Sequence, residues 1–316
     1  MTDHSSPFSY LSNLRTLQLE LSDNNPGAEK HWEPAPLLEP ISCMTKLCSL
    51  TVLMQSSYCT WDIQHLSQLS HLTSLGIANL EQGLSTLVKL QHLSVRATEP
   101  PARCWMRLNP RTPDLLASLV TLTGLSTLDC GRIQYCQVST LTLLTALKSL
   151  SMSMARDPFD HHASTTSWST LSKLPILNTL DVSEAVLDAQ HFQIVASMTQ
   201  LTKLYFCGFS VDLHFSAEDL NKLSALTSLQ YLHLEFIHSG IWSQALYDLD
   251  IHLKALLQST TMQYFQVFDN ECDSGGELYG EASLQREEED DSLAGWDSES
   301  EIDSDSYHSD EQSDSE

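Results

Sequence analysis

The residues with chemical potential in this 316-residue chain fall into a few groups. His161 and His162 follow Asp157 and Asp160, a set with imidazole and carboxylate donors for a metal ion. Adjacent histidines in a loop are ordinarily just solvated, and no metal site is assigned to them. Eight cysteines stand at Cys43, Cys48, Cys59, Cys104, Cys130, Cys136, Cys207 and Cys272. None form a C-x-x-C pair, their spacings match no zinc site, and eight in a chain of this length make no disulfide framework. Free thiols in a reducing compartment are the simpler reading. Asp129 and Asp181, with Ser151 between them, would hold a cation or a basic side chain if they shared one strand row. Two strand spacings, roughly 10 Å, are too many for a shared proton. No G-x-S-x-G, H-E-x-x-H or P-loop occurs. The chain is therefore read as non-enzymatic, with no catalytic residue, cofactor or metal.

A second chemistry is charge. The net charge is −25. Of the 41 acidic residues 19 lie in 269–316, with Arg286 as the one basic residue there, so that stretch carries −18 and residues 1–268 only −7. Phosphates would be repelled, which excludes nucleic-acid binding through the net field. From Glu287 to Glu316 there are 14 acidic residues and eight serines. Such a segment buries too little apolar surface to offset its ordering entropy and is expected to be disordered. Ser298, Ser300 and Ser313 have Glu301, Asp303 and Glu316 three positions on, the pattern of acidophilic phosphorylation sites. Each phosphate would add about −1.5 to −2 charges. A basic protein is the partner that this tail would suit. Arg103, Arg107 and Arg111 form the one basic cluster, in a loop that would dock an acidic partner or the tail itself; an ordinary solvated loop is the simpler alternative.

The elements that position these residues come from a repeat. The block L-x-x-L-x-x-L-x-L, with Ile, Val, Met, Phe or Cys at some positions, recurs ten times. Its strand leucine, or its equivalent, falls at positions 17, 50, 75, 93, 128, 150, 180, 204, 232 and 265. The mean period is about 28 residues, and single periods run from 18 to 35, so insertions interrupt a shorter unit. The final L-x-L alternates as a strand does, with both leucines inward. The preceding leucines at threefold spacing suit tight turns of 3-10 type, whose side chains eclipse every third residue. Strict threes drift off the face of an α-helix, which disfavours a bundle of amphipathic helices. One coil cannot bury its own apolar face, but stacked coils can, with their strands pairing into a parallel sheet.

The blocks LSALTSLQYLHL, LSKLPILNTLDV and LTLLTALKSLSM resemble the leucine-rich-repeat superfamily, and the resemblance covers about residues 10–268. It implies an α/β leucine-rich-repeat solenoid of about ten repeats. A curved parallel sheet would line the concave face, with short helical or 3-10 turns on the convex one. The family generally carries Asn three residues after the second strand leucine. This chain has Ser22, Leu80, Thr98, Ile133, Ala155, Ala185, Phe209 and Ile237 there, so the asparagine ladder is missing.

Residues flanking the strand leucines would face solvent on the concave sheet. Early and middle repeats offer small and hydroxylic side chains: Thr16, Gln18, Ser49, Thr51, Ser74, Gly76, Thr127, Asp129, Ser149, Ser151, Thr179 and Asp181. The last three offer Lys203, Tyr205, Tyr231, His233, Glu235, Tyr264, Gln266 and Phe268. Aromatics with polar handles amid charges are the composition of a protein-binding hot spot; equally, they would simply cover the end of the array. Residues 243–258 have the spacing of a helix, through Trp242, Leu246, Leu249, Leu253 and Leu256, that would cap the last coil. The domain reading is a solenoid over 1–268, with its C-terminal cap at about 241–268, and an acidic Ser/Asp/Glu-rich tail over 269–316. The N-terminus has no apolar h-region and no run of about 18 apolar residues exists, which predicts a cytoplasmic or nuclear protein without membrane contact.

The expected function is a scaffold for a protein partner. Ran GTPase-activating proteins and the acidic leucine-rich nuclear phosphoproteins that handle histones also join such repeats to acidic tails, but both keep asparagine-bearing repeats. A ubiquitin-ligase substrate receptor is a further alternative, although the ten residues before Leu11 cannot hold an F-box.

Overall fold

The computed structural model describes residues 11–21, 35–54, 61–77, 80–95, 118–133, 135–154, 168–211, 217–237, 262–270 and 282–285. The chain divides into two units, Met1–Gln285 and Arg286–Glu316, and every described residue lies in the first.

In chain order the strands are β1 (Thr16–Leu21), β2 (Ser49–Met54), β3 (Trp61–Asp62), β4 (Ser74–Ile77), β5 (Leu80–Gln82), β6 (His92–Ser94) and β7 (Thr127–Ile133). They continue as β8 (Ser149–Met154), β9 (Thr179–Ser183), β10 (Val186–Leu187), β11 (Lys203–Val211), β12 (Tyr231–Ile237), β13 (Tyr264–Asn270) and β14 (Ala282–Gln285). The main sheet runs β1-β2-β4-β6-β7-β8-β9-β11-β12-β13-β14, with β10 beside β11, while β3 and β5 form a separate pair. Every pairing in the main sheet is parallel except β13 with β14. Each of the ten repeat positions read from the sequence falls in its own strand. The register aligns them in one row: Leu17, Leu50, Leu75, Leu93, Leu128, Leu150, Leu180, Leu204, Leu232 and Phe265. The chain thus folds as a leucine-rich-repeat solenoid.

The threefold leucines have a direct backbone cause. The amide of Leu69 donates to the carbonyl of Leu66 at 2.8 Å, and that of Leu72 to Leu69 at 3.0 Å. The same step joins Leu90 to Leu87, Leu147 to Leu144 and Leu229 to Leu226. Consecutive three-residue turns point each of these side chains the same way, into the stack. Leu50, Leu150, Leu180, Leu204 and Leu232 are fully buried. Each such leucine contributes about 1.5–3 kcal/mol of transfer energy. In β1, at the sheet edge, Leu17, Leu19 and Leu21 are only half-buried, because one side of their coil has no strand against it among the described residues.

Coil is tied to coil by main chain. Where each of β2, β4, β6, β7, β8, β9, β11, β12 and β13 begins, two consecutive amides converge on one carbonyl of the previous coil. Cys48 and Ser49 donate to Arg15, Thr73 and Ser74 to Cys48, and Lys148 and Ser149 to Ser126. The series ends with Gln263 and Tyr264 on Gln230. Where the asparagine ladder would run, the described side chains are Leu80, Ile133 and Ala185, all buried, so apolar packing fills that place.

The described α-helices include α1 (Ala35–Ser42), α2 (Ala189–Ala196) and α3 (Ala217–Leu220). Short 3-10 segments such as Gln64–Gln68, Leu84–Thr86 and Asn221–Ala225 fill other connections. Helix α2 starts on a capping box, in which the Asp188 carboxylate accepts from the amides of Gln190 and His191. His191 Nδ1 lies 2.7 Å from Asp188 Oδ1. Its ring is buried edge-on to Trp168, with centroids 5.2 Å apart. Burial holds His191 below its ordinary 6.5, against the pull of Asp188. Burial raises Asp188, but the His191 amide, its imidazole and the Gln190 amide outweigh this and hold the carboxyl below its ordinary 3.8.

Both shifts act in one direction. Each group is protonated more readily in the unfolded chain, so its stabilisation is complete above the unfolded value and is lost as pH falls through the folded one. His191 weakens the fold first, below 6.5, and Asp188 below 3.8. Urea midpoints are expected to fall between about pH 7.5 and pH 5, less steeply in His191→Gln, whose amide keeps the capping box. An unchanged slope in that variant would contradict the assignment.

No described helix is long and apolar enough to cross a membrane. The helix expected over 243–258, the Arg103/Arg107/Arg111 loop and the His161–His162 pair lie outside the described residues. Strand β14 was not anticipated: it lies within the stretch read as tail, and pairs Leu284 with Phe265.

Candidate functional site: the outward face of the last strands

Alternation along each strand decides what the face presents. In β11, Leu204 and Phe206 point into the core, leaving Lys203, Tyr205 and Cys207 outward. In β12, Leu232 and Leu234 are buried, leaving Tyr231, His233 and Glu235. Tyr264 and Gln266 follow in β13. The parallel register sets Lys203, Tyr231 and Tyr264 in one row across the three strands, and Tyr205, His233 and Gln266 in another. All seven predicted residues therefore occupy one face of three adjacent strands.

They also touch. Lys203 Nζ sits 4.8 Å above the centre of the Tyr231 ring, a cation–π contact. The Tyr231 and Tyr264 rings lie 6.1 Å apart, and the Tyr205 and His233 rings 6.2 Å apart. The Tyr264 hydroxyl donates to Gln266 Oε1. His233 Nε2 is 3.9 Å from Glu235 Oε2. Each of these side chains is half-buried by its neighbours, which holds the rings as a surface of limited freedom. Burial raises the Tyr205 phenol above its ordinary value, and Asp181 and the neighbouring phenols add to this. The hydroxyl is a donor at neutral pH.

The preceding strands give a different surface. Ser94, Asp129, Ser151 and Asp181 continue the row of Tyr205. Ser94 Oγ donates to Asp129 Oδ2 at 2.9 Å, and Ser151 Oγ to Asp181 Oδ2 at 3.1 Å. Each carboxylate is held by the serine of the strand before it, and Ser151 separates the two, as their sequence positions require.

The sequence reading missed Cys207. Its linear spacing to any histidine or cysteine is uninformative, and only the strand register brings it to His233 and Glu235. One donor atom from each of the three lies within 4.8 Å of the others. The backbone adds a cause: the β11–β12 register shifts between Phe206 and Phe209, immediately around Cys207. Such irregularities re-aim side chains. Burial, with Asp181 and Glu235, pushes the Cys207 thiol up to about 12. Cys43, Cys48, Cys130 and Cys207 are free thiols. Ser298, Ser300 and Ser313 lie outside the described residues.

Among solved structures the chain is similar to an internalin from Listeria monocytogenes str. 4b F2365, at 20% identity and TM-score 0.44, over 74% of this chain and 63% of that one. The chain thus spans less than two thirds of that internalin. An internalin C2 of the same strain matches at 16% identity and TM-score 0.41, over 72% of this chain and 83% of its own. A TDR receptor matches at 12% identity and TM-score 0.36, over 82% of this chain and 43% of its own. No protein-family model matches the chain, and no curated protein matches it in sequence.

Proposed function

We propose that the chain is a non-enzymatic scaffold that binds a protein partner on the outward face of β11, β12 and β13. One observation carries this reading. Three tyrosines, Tyr205, Tyr231 and Tyr264, share a face with Lys203, His233, Glu235 and Gln266, whereas the earlier strands present mainly hydroxyls. Tyrosine supplies buried area at low entropic cost and keeps a polar end for the partner. Asp181 and Glu235 at the border favour a partner segment carrying Lys or Arg. The acidic residues of 269–316 form a second contact in this proposal, a screened attraction for a basic protein that phosphates on Ser298, Ser300 and Ser313 would strengthen. A reducing compartment, cytoplasmic or nuclear, suits the free thiols.

Affinity capture with the full chain, compared with Tyr205→Ala/Tyr231→Ala/His233→Ala, tests the reading. Loss of hot-spot anchors is expected to weaken the captured complex by at least about 30-fold. Undiminished capture by the triple variant removes the face from consideration. Loss of capture only on deleting 286–316 would move the function to the acidic segment.

A further inference from the structure

We propose that Cys207, His233 and Glu235 hold a zinc-class divalent cation on the outward face, with one coordination position left open.

The donor set is the first argument. A thiolate, an imidazole and a carboxylate suit borderline metals such as zinc, whereas calcium and magnesium take oxygen donors alone. Three protein ligands with a fourth position for water or an incoming group is the arrangement of open zinc sites.

Geometry is the second. With bonds of about 2.3 Å to sulfur and about 2.0–2.2 Å to nitrogen and oxygen, tetrahedral donors lie about 3.3–3.6 Å apart. His233 Nε2 and Glu235 Oε2 are 3.9 Å apart, and all three donors lie within 4.8 Å. Small side-chain rotations close the remainder. His233 and Glu235 alternate on one strand, so both project outward from a rigid element, and Cys207 meets them from the adjacent strand at the register shift. Sites carried on strands keep their donors in place without ordering a loop.

Charge is the third. Cys207 is half-buried, and the Asp181 carboxylate acts on it together with that of Glu235. Negative charge gathered at one place favours a dication. Tyr205 stands beside His233 on the adjacent strand, with ring centres 6.2 Å apart, and limits the swing of the imidazole. The proposal stands on this cluster alone and does not depend on the docking reading.

The test uses cobalt(II) as a probe with the reduced, metal-free full chain. Thiolate ligation gives a sulfur-to-cobalt charge-transfer band in the near ultraviolet, which cations scattered among acidic residues do not produce. The expected result is one such band per chain, displaced by zinc(II). It disappears in Cys207→Ser and is unchanged in Cys43→Ser, whose thiol is exposed and remote from the cluster. His233→Ala and Glu235→Gln each weaken zinc(II) in chelator competition, by at least about 100-fold for the histidine. Both side chains project outward, so these variants keep the comparison interpretable if Cys207→Ser folds poorly. A band that is absent, that survives in Cys207→Ser, or that is lost equally in Cys43→Ser overturns the proposal. So does zinc(II) affinity equal in His233→Ala and the unchanged chain.

Discussion

Phe206→Ala is expected to cost about 3–5 kcal/mol of folding stability, read as a fall in the urea midpoint at unchanged slope. Phe206 takes the second inward position of its coil, where other coils carry Val52, Met152, Val182 or Leu234. It is 1% exposed. Its ring centre lies 5.7 Å from that of Phe192 and 6.3 Å from that of Trp168. Truncation removes the ring from an aromatic cluster that spans three segments and leaves a cavity that none of them can collapse into cheaply. Phe206→Leu keeps most of the volume and is expected to lose less than half as much. The site suffers with the core, because Phe206 lies between Tyr205 and Cys207. A loss below about 1 kcal/mol would mean that the cluster is not packed as described.

Gly83→Ala is expected to cost roughly 3 kcal/mol, measured in the same way. Gly83 has φ of +100°, where a side chain is strained, and it precedes the 3-10 turn Leu84–Thr86. An added Cβ would meet Gln64 N at 2.7 Å and the Ile63 carbonyl carbon at 2.9 Å. Both are backbone atoms of the neighbouring coil, so they cannot swing aside as a long side chain would. The control is Gly124→Ala, where nothing lies within 4 Å of the new methyl and the change is expected to stay within about 0.5 kcal/mol. Equal effects at the two glycines would show that neighbouring coils do not approach as closely as Gly83 requires.

The array was legible because its signal is redundant. A one-residue error at Leu180 or Leu204 would turn a row of leucines to solvent, so the L-x-L alternation specifies the register as well as the strand. The threefold leucines specify the turns, because i to i+3 hydrogen bonds and eclipsed side chains are one geometry. Features outside the repeat carried no such redundancy. Strand β14, Ala-Ser-Leu-Gln, alternates over only four residues and lies outside every leucine block, so nothing in it announces its antiparallel pairing with Phe265 and Val267. The β3–β5 pair joins Trp61 to Leu80, residues that flank the leucine block of their coil and belong to no repeated position of it. Helix α2 had a readable start in Asp188, but the block at Met198 and Leu201 dominated the pattern there.

The outward face divides in the same way. Lys203, Tyr205, Tyr231, His233, Glu235, Tyr264 and Gln266 were legible because each is one or three residues from an inward leucine or its equivalent. Cys207 obeys the same rule, one residue beyond Phe206. Spacing along the chain does not reveal it, because its neighbours lie across the ladder. Metal donors gathered by adjacent coils have separations set by coil length, here 26 residues from Cys207 to His233, which no linear motif anticipates.

The paired amides that open the coil strands are main-chain groups, joined in three coils by the hydroxyl of Thr73, Ser126 or Thr202 on the same carbonyl. They count turns of the coil, not residues, which is why spacings from 18 to 35 feed the same line of carbonyls. Whole turns are consequently interchangeable parts. If 126–147 were excised, the amides of Lys148 and Ser149, which now meet Ser126, would come to face Gln91, the acceptor that Ser126 and Thr127 use. Lengthening or shortening by complete units is open to such a molecule, and proline alone among the amino acids is barred from the paired positions, since it brings no hydrogen to donate.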